Sequence, residues 1–217
     1  MALKGIIQHA PAGVNGFDVN RPLTHESARD FKDAGYDFCV RYLPRHPTQD
    51  PGNLTEVEGE AILWAGLSLL AVQHVALPGW MPTIELGAEY GSFAAQYAKE
   101  VAGLPEGICI FLDLEEVANQ ATSEDVIGYC GAWFSAVNNA GYIPSLYVGW
   151  NVKLDAQQLY YLPFKHYWRA YNTDTDIATR GYQMIQHTQK TLNGITFDPN
   201  TMQNDHLGDS IIWLAPA

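Results

Sequence analysis

Positive charge is scarce in this sequence. Among its 217 residues, 12 are Lys or Arg and 24 are Asp or Glu, which gives a formal net charge of −12. A protein that neutralises phosphates needs a basic face, and the sequence contains no cluster of Lys and Arg. We therefore expect neither nucleic acid nor an anionic membrane as a partner, and an uncharged or positively charged substrate fits this composition better.

Cysteines and long apolar runs are also few. The three cysteines, Cys39, Cys109 and Cys130, form no CxxC pair. This argues against a disulfide framework and against a zinc site. No stretch approaches the ~18 consecutive apolar residues of a membrane span, and the segment from Met1 to Gly16 lacks the apolar core of a signal peptide. We expect a soluble protein without a secretion signal, which would need another route of release to act on a cell wall.

The residues that are present suffice for a large core. Hydrophobic residues make up 47% of the chain and charged residues 17%, which excludes global disorder. Short apolar segments rich in β-branched and aromatic residues predict strands at about 14–18, 37–42, 68–74, 108–114, 143–148, 166–171, 182–187 and 195–198. Amphipathic segments between them predict helices at about 24–34, 54–65, 90–102 and 122–140.

Four of the predicted helices end in the same way, with an Ala-Gly pair before the next strand. The glycines, Gly35, Gly66, Gly103 and Gly141, suit the left-handed residue that often closes a helix. Alternating strands and helices predict a parallel sheet covered on both faces. Eight strands in this length favour a single (β/α)8-type TIM barrel with reduced later helices, and a doubly wound open sheet is the alternative. No linker interrupts the pattern, so we expect one domain over residues 1–217.

Acidic residues end the predicted fourth strand. The apolar run from Ile108 leads into Asp113, Leu114 and Glu115. Side chains two positions apart point to the same face of a strand, so Asp113 and Glu115 are expected to share a cleft at its carboxyl end, where barrels bind ligands. Two such carboxyls suit glycosidic-bond cleavage, in which one donates a proton and the other stabilises or attacks the anomeric carbon. An acidic strand end, or a cap for the next helix, is the other interpretation.

Two further carboxylates end the first and last predicted strands. These are Asp18, after Gly16-Phe17, and Asp198, after Phe197. The first and last strands of a closed barrel are neighbours, so the two residues are expected to face each other across that seam. Each also has an ordinary alternative, a helix cap for Asp18 and an Asp-Pro turn for Asp198.

Aromatic and polar residues at the strand ends are candidates for substrate binding. Aromatic rings stack on the apolar faces of sugars, and the candidates are Tyr42, Trp80, Tyr147, Trp150, Trp168 and Tyr171. Trp80 and Trp150 lie in loops and are the better candidates, whereas Trp168 and Tyr171 are equally compatible with a core. Arg41 is a cation inside an apolar strand and is expected to pair with Asp18. Gln73 and Gln186, which end their strands, complete the set.

Other kinds of chemistry find less support in the sequence. His74 and His187, with Asp113 or Asp18, would be needed for a metal-dependent barrel hydrolase, but no His-x-His or His-Glu-x-x-His motif occurs. Glycine-rich phosphate loops and a Gly-x-Ser-x-Gly nucleophile are also absent from the sequence. We therefore predict neither a metal nor another cofactor.

Several motifs together carry a resemblance to a known family. They are Gly16-Phe17-Asp18, Phe38-Cys39-Val40-Arg41-Tyr42, Ala65-Gly66-Leu67, Phe111-Leu112-Asp113-Leu114-Glu115, Gly141-Tyr142, Trp168-Arg169-Ala170-Tyr171, Gln183 to Gln186, and Phe197-Asp198. In this order and spacing the chain resembles the glycoside-hydrolase-like barrels related to family-25 lysozymes (muramidases), and more closely their glycoside-hydrolase-like domain branch.

The resemblance implies a function as well as a fold. It implies a barrel that acts on peptidoglycan or a similar glycan, with Glu115 as general acid and Asp113 as its stabilising partner. It also implies that Asp18 and Asp198 are the further carboxylates of the site. We therefore hypothesise a cell-wall or polysaccharide glycosidase without a cofactor. A non-catalytic glycan-binding barrel is the main alternative. The sequence does not predict an oligomeric state.

Overall fold

The computed structural model describes residues 2–49, 52–173 and 175–217. Within these ranges the helices are α1 (His25–Asp33), α2 (Glu56–Trp64), α3 (Ile84–Glu100), α4 (Ser123–Asn139) and α5 (Ala156–Tyr161). The strands are β1 (Ile6–His9), β2 (Asn15–Asp18), β3 (Phe38–Leu43), β4 (Ser68–Gln73), β5 (Cys109–Leu114), β6 (Ile143–Val148), β7 (Tyr167–Arg169), β8 (Met184–Gln186), β9 (Lys190–Leu192), β10 (Ile195–Met202) and β11 (Ile212–Ala215).

Eight of these strands close into a barrel, which confirms the predicted TIM-type fold. Strands β2 to β8 form a continuous parallel series, because β4 pairs with both β3 and β5. Strand β10 closes the ring between β8 and β2. Strand β11 pairs with β4 outside this ring and in turn carries β1. The eight barrel strands are the eight that the sequence predicts, and the extra strands β1, β9 and β11 were not predicted.

The direction of the last barrel strand differs from the prediction. Strand β10 runs antiparallel to both of its neighbours, so the expectation of an all-parallel sheet is wrong there. The cause is a hairpin between β9 and β10 at Asn193-Gly194, where φ is +47° and +77°. Positive φ at both residues is typical of the two-residue turns that join antiparallel strands. The other seven barrel strands end at the mouth of the barrel. Strand β10 therefore starts at the mouth and runs away from it.

The helices begin at polar caps, and the four predicted helices end close to their predicted positions. Each starts after a residue whose side chain accepts a backbone N–H of the first turn, namely Thr24, Thr55, Thr83, Thr122 and Asp155. Helix α3 starts earlier than predicted, at Ile84. Its early turns contain Gly87, which weakens the helical pattern but is needed because a Cβ there would meet the Tyr129 carbonyl oxygen of α4. The four glycines predicted to close helices all have positive φ, between +66° and +92°.

The barrel strands are apolar on both faces. Their inward side chains form one hydrophobic cluster inside the barrel, and their outward side chains form another with the helices. Along β3, Phe38 and Val40 point into the barrel with Phe111 of β5, whereas Cys39 and Leu43 point outward to the helices. This alternation decides on which side of the wall each candidate site residue lies. In the described ranges no helix combines the length and the apolar character needed to cross a bilayer.

Candidate active site

The two acidic residues of β5 lie at the mouth of the barrel. Asp113, the last residue but one of β5, is 7% exposed, and Glu115, just beyond the strand, is half-buried. The backbone N–H of Val75 donates to the Asp113 carboxyl. The Oδ1 atom of Asp113 is buried and has no hydrogen-bond partner in the described part of the chain. The negative charge of Glu115 acts on the Asp113 carboxyl, so the two groups lie near each other at the mouth.

Both carboxyls are harder to ionise than ordinary ones. Burial, and then the negative charges of Glu116 and Asp18, raise the pKa of Glu115 to about 7. Burial, and then the charge of Glu115, hold the pKa of Asp113 well above its usual range, against the lowering effect of the Val75 N–H. The pair therefore titrates as a unit and retains a proton into the neutral range.

Asp18 forms the opposite wall of the mouth within a hydrogen-bond network. The Tyr42 hydroxyl donates to Oδ1 over 3.1 Å, and the side-chain amides of Gln186 and Asn200 donate to Oδ2 over 3.0 and 2.8 Å. Burial nevertheless raises the pKa of Asp18 to about 7, because it outweighs the lowering effect of these hydrogen bonds. Asp18 is thus fixed in position and keeps a proton that an exposed Asp would lose.

Asp198 lies directly beside Asp18, as the sequence predicts. The two residues are Cα partners in the β2–β10 ladder, and burial raises the pKa of the half-buried Asp198. A cavity of about 250 Å³ opens at this seam, and its lining includes Asp18, Tyr42, Arg21 and Asp198. The seam therefore offers a recess lined by Asp18 and Asp198.

These four carboxyls share one electrostatic property. None of the ion pairs found among the described residues includes Asp18, Asp113, Glu115 or Asp198. Buried carboxyls without a cationic partner ordinarily cost stability, and such groups are frequent at functional sites. The mouth is therefore the best candidate for an active site.

A second layer of side chains holds this mouth from inside the barrel. The Tyr147 hydroxyl donates to Oε1 of Gln186 over 3.0 Å, and the Trp168 indole donates to Oδ1 of Asn200 over 2.8 Å. Trp168 is 1% exposed, so its predicted role as a sugar platform is wrong, and it belongs to the barrel core. Sequence reasoning missed Asn200, although its position two residues after Asp198 on one strand places both on the same face.

Trp80 supports Glu115 from the outer side of the loop. Its indole N–H donates to the Glu115 carbonyl oxygen over 2.9 Å, and its ring packs edge-on against Tyr129 at 4.9 Å. Because the Trp80 indole is used in these contacts within the protein, its role is structural and not the predicted one of a sugar-stacking platform. Trp150 and Tyr171 are 52% and 56% exposed in the loops after β6 and β7, and both remain available for stacking.

Arg41 lies on the outer face of the wall, not in the mouth. Its Nε donates to Oε1 of Glu58 over 2.5 Å, and its Nη1 donates to the Val19 carbonyl oxygen. The predicted pairing with Asp18 is therefore wrong. The physical reason is the strand alternation, since Tyr42 points inward and its neighbour Arg41 must point outward. Glu58 was missed because it comes from α2, far from Arg41 in the sequence.

Gln73 is a structural residue for the same reason. Its amide nitrogen donates to the carbonyl oxygens of Pro44 and Tyr90, and its Oε1 accepts the indole N–H of Trp133 over 2.7 Å. All of these partners lie outside the barrel wall or on α3 and α4. The prediction that Gln73 binds substrate is wrong, because the side chain is fully buried and its hydrogen bonds are taken.

The two histidines of the metal hypothesis lie on different sides of the wall. His74 packs against Tyr42 with ring centroids 4.5 Å apart, whereas His187 bonds to the Thr201 hydroxyl on the outer face. They cannot ligate one ion together. Within residues 2–49, 52–173 and 175–217, no three His, Cys, Asp or Glu side chains are arranged to hold a metal.

Comparison with known proteins gives a family and a set of similar folds. The family model described as Rv2525c-like, glycoside hydrolase-like domain matches residues 29–207. Among curated proteins, no sequence matches the chain. The Mycobacterium tuberculosis Tat-secreted protein Rv2525c, solved in complex with HEPES, is 13% identical with a TM-score of 0.68, over 88% of this chain and 96% of that one.

Two of the similar structures are of proteins named for an enzymatic or lytic activity. The catalytic domain of endolysin ply40, from bacteriophage P40 of Listeria monocytogenes, is 18% identical with a TM-score of 0.62, over 89% of this chain and 95% of that one. A family 25 glycosyl hydrolase from Bacillus anthracis is 13% identical with a TM-score of 0.59, over 90% of this chain and 93% of that one. At such identities the likeness shows the shared barrel fold.

Proposed function

Because the chain belongs to the Rv2525c-like, glycoside hydrolase-like domain family, we propose that it is a glycosidase that cleaves peptidoglycan or a related polysaccharide. The observation that carries the proposal is the buried Asp113–Glu115 pair, which forms no ion pair with a cation among the described residues and whose two pKa values are raised. A glycosidase needs a general acid that still holds a proton near neutral pH, and the raised pKa of Glu115 meets this need.

The two carboxyls have different roles in this proposal. Glu115 is the more accessible of the two, so it donates its proton to the glycosidic oxygen while the bond to the anomeric carbon breaks. Asp113 lies deeper and keeps its own proton tightly, so it stabilises the positive charge that develops on the sugar ring through the lone pairs of Oδ1, which has no hydrogen-bond partner among the described residues. Water then adds to the anomeric carbon and returns a proton to Glu115, which restores the pair.

The surroundings of the pair suit a glycan. Trp150 and Tyr171 expose large aromatic surfaces next to the mouth, where they stack on sugar rings, and the recess beside Asp18 and Asp198 accepts a neighbouring sugar. The choice of peptidoglycan draws support from the similar structures, one named a family 25 glycosyl hydrolase and another the catalytic domain of a phage endolysin.

The proposal is tested by replacing Glu115 with Gln. Purified wild-type protein and Glu115→Gln are incubated with peptidoglycan and with chitin oligomers, and newly formed reducing ends are measured from pH 4 to 9. We expect the wild type to release reducing ends and Glu115→Gln to be slower by about 10²–10⁴-fold, which is the usual contribution of a general acid. The wild-type rate should fall as the pH rises through about 7, because Glu115 then loses its proton.

The matched control is Glu124→Gln at the exposed start of α4, which should keep the wild-type rate and pH profile. Undiminished release by a folded Glu115→Gln protein would contradict the assigned role. Binding of glycan fragments by the wild type without any release of reducing ends would instead identify a non-catalytic glycan-binding barrel.

A further inference from the structure

Gly149, the first residue after β6, lies against the side chain of Glu115. A Cβ built at Gly149 would collide with the Cβ and Oε2 of Glu115 and lie 3.1 Å from its Cδ. The backbone of Gly149 does not itself require glycine, because its φ is not positive. The glycine is therefore needed for the space that the Glu115 side chain, from its Cβ to its carboxyl, occupies.

The backbone on both sides of Glu115 is held in place. The N–H of Gly149 donates to the Leu114 carbonyl oxygen over 2.9 Å, and the N–H of Glu116 donates to the Trp150 carbonyl oxygen over 2.8 Å. The pairing of β5 with β6 thus continues past the ends of both strands. The Trp80 indole fixes the carbonyl of Glu115 itself. The Cβ of Glu115 is fixed by this backbone, so a clash at Gly149 is relieved only if the whole of Glu115, carboxyl included, moves away from the end of β6.

The left-handed backbone conformation of Glu116 adds a further contact to the three hydrogen bonds that hold the backbone around Glu115. Its φ is +52°, a region that non-glycine residues rarely adopt. The turn directs the Glu116 carbonyl oxygen to the N–H of Gly79 and brings the loop back over the Trp80 side of the barrel. Such a conformation persists only where surrounding contacts fix it, and here those contacts all surround Glu115.

We propose that Gly149 is a positioning residue, whose lack of a side chain lets the Glu115 carboxyl lie against the end of β6 beside Asp113. This inference rests on the proposed function for its catalytic meaning, but the geometry can be tested without turnover. Adding one methyl group in Gly149→Ala would push Glu115 away from the end of β6 and move its carboxyl towards solvent. Since burial is the largest cause of its raised pKa, that pKa would fall from about 7 towards its ordinary value of 4.5.

The experiment is a carbon-13 NMR titration of the Glu115 carboxyl in three proteins. The wild type should titrate near 7, and Gly149→Ala should titrate more than one pH unit lower. The matched control is Gly131→Ala in α4, where a new Cβ meets nothing within 4 Å and the Glu115 titration should not move. An unchanged Glu115 pKa in folded Gly149→Ala protein would overturn the proposal.

Stability provides a second measurement if Gly149→Ala folds poorly. The destabilisation by Gly149→Ala should largely disappear when Glu115 is replaced by Gly, because the clash then has no partner. The four proteins of this double-mutant cycle are compared by urea denaturation, and strictly additive effects would contradict a direct Gly149–Glu115 clash.

Turnover is the readout that separates this inference from the proposed function. With an active wild type, Gly149→Ala should lower kcat by about 10²-fold with little change in KM, since a small displacement of a reacting group has effects of this size. Its alkaline limb should also move to lower pH. If the wild type releases no reducing ends, the glycosidase proposal fails, while the NMR titration still decides whether Gly149 positions Glu115.

Discussion

The two faces of the barrel wall bury charge in opposite ways. On the outer face Arg41 is fully buried, but Glu58 neutralises it and two backbone carbonyl oxygens accept two more of its N–H groups. On the inner face Asp18 and Asp113 are nearly as buried, and neither has a cationic partner among the described residues. Adjacent positions of one strand, Arg41 and Tyr42, therefore belong to two different electrostatic environments.

This difference separates structural charge from functional charge. A buried charge that is paired and fully hydrogen-bonded holds elements together, here β3 and α2. Buried carboxyls that have no cationic partner and stay protonated reduce stability at neutral pH. A fold retains such groups where reactivity requires them. The comparison predicts that substitutions on the two faces will change stability in opposite directions.

The largest effect is expected on the outer face, from Glu58→Ala. This change leaves Arg41 buried without its acidic partner, so the free energy of unfolding should fall by about 3–5 kcal/mol, measured by urea denaturation. Replacing both partners, as in Arg41→Met with Glu58→Leu, should be less destabilising than Glu58→Ala alone, because no uncompensated charge remains.

The control is the exposed pair of Lys99 and Glu106, whose nitrogen–oxygen distance is 3.0 Å. Glu106→Ala should change the unfolding free energy by less than about 1 kcal/mol. Equal effects of Glu58→Ala and Glu106→Ala would remove the contrast between a structural buried pair and an ordinary surface pair.

On the inner face, stability should decrease as the pH rises. The folded-state pKa of Asp18 is about 7 and its ordinary value is 3.8, so the folded protein binds the proton more tightly than the unfolded chain. This contribution is fully present below pH 3.8 and is lost as the pH rises through 7. Between pH 5 and pH 8, Asp18 alone should lower the unfolding free energy by roughly 2–3 kcal/mol.

Asp18→Asn isolates this contribution. The amide has nearly the same shape, so its oxygen still accepts from Gln186 and Asn200, and it carries no charge at pH 8. We expect a shallower pH dependence of stability and a protein more stable than the wild type at pH 8, measured by urea denaturation at both pH values. A wild type that becomes more stable from pH 5 to pH 8 would contradict the unpaired state of the inner carboxyls.

The sequence predicts the barrel well because its signals are local. Apolar runs, capping residues and the glycines after helices each depend on a few neighbouring residues, and all eight barrel strands follow from them. The antiparallel direction of β10 was also encoded locally, in the Asn193-Gly194 turn, but it was not recognised. The start of α3 was missed because Gly87 serves a contact with α4 that lies far away in the sequence.

In the candidate site, too, the arrangements that depend on local sequence were predictable and those that depend on distant contacts were not. Asp113 and Glu115 share a strand, and Asp18 and Asp198 lie on strands whose adjacency follows from barrel closure, so both arrangements were predictable. The partner of Arg41 was not, because α2 brings Glu58 to the wall only in the folded chain. A correct strand phase would have excluded Arg41 and Gln73 from the mouth, since inward Tyr42 implies outward Arg41. Gly149 gives no sequence signal, because its role depends on a contact between two loops.

The smallest predicted effect concerns the hydrogen bond that Tyr42 donates to Asp18 over 3.1 Å. This bond favours the ionised carboxylate and lowers the pKa of Asp18, although burial dominates. Tyr42→Phe should therefore raise the Asp18 pKa further, by up to about one pH unit, and change stability by about 1 kcal/mol or less. Carbon-13 NMR titration measures the pKa, with Tyr171→Phe at an exposed position as the control. A fall in the Asp18 pKa would mean that the hydroxyl favours the protonated acid, and the inner network would then hold Asp18 neutral by hydrogen bonding as well as by burial.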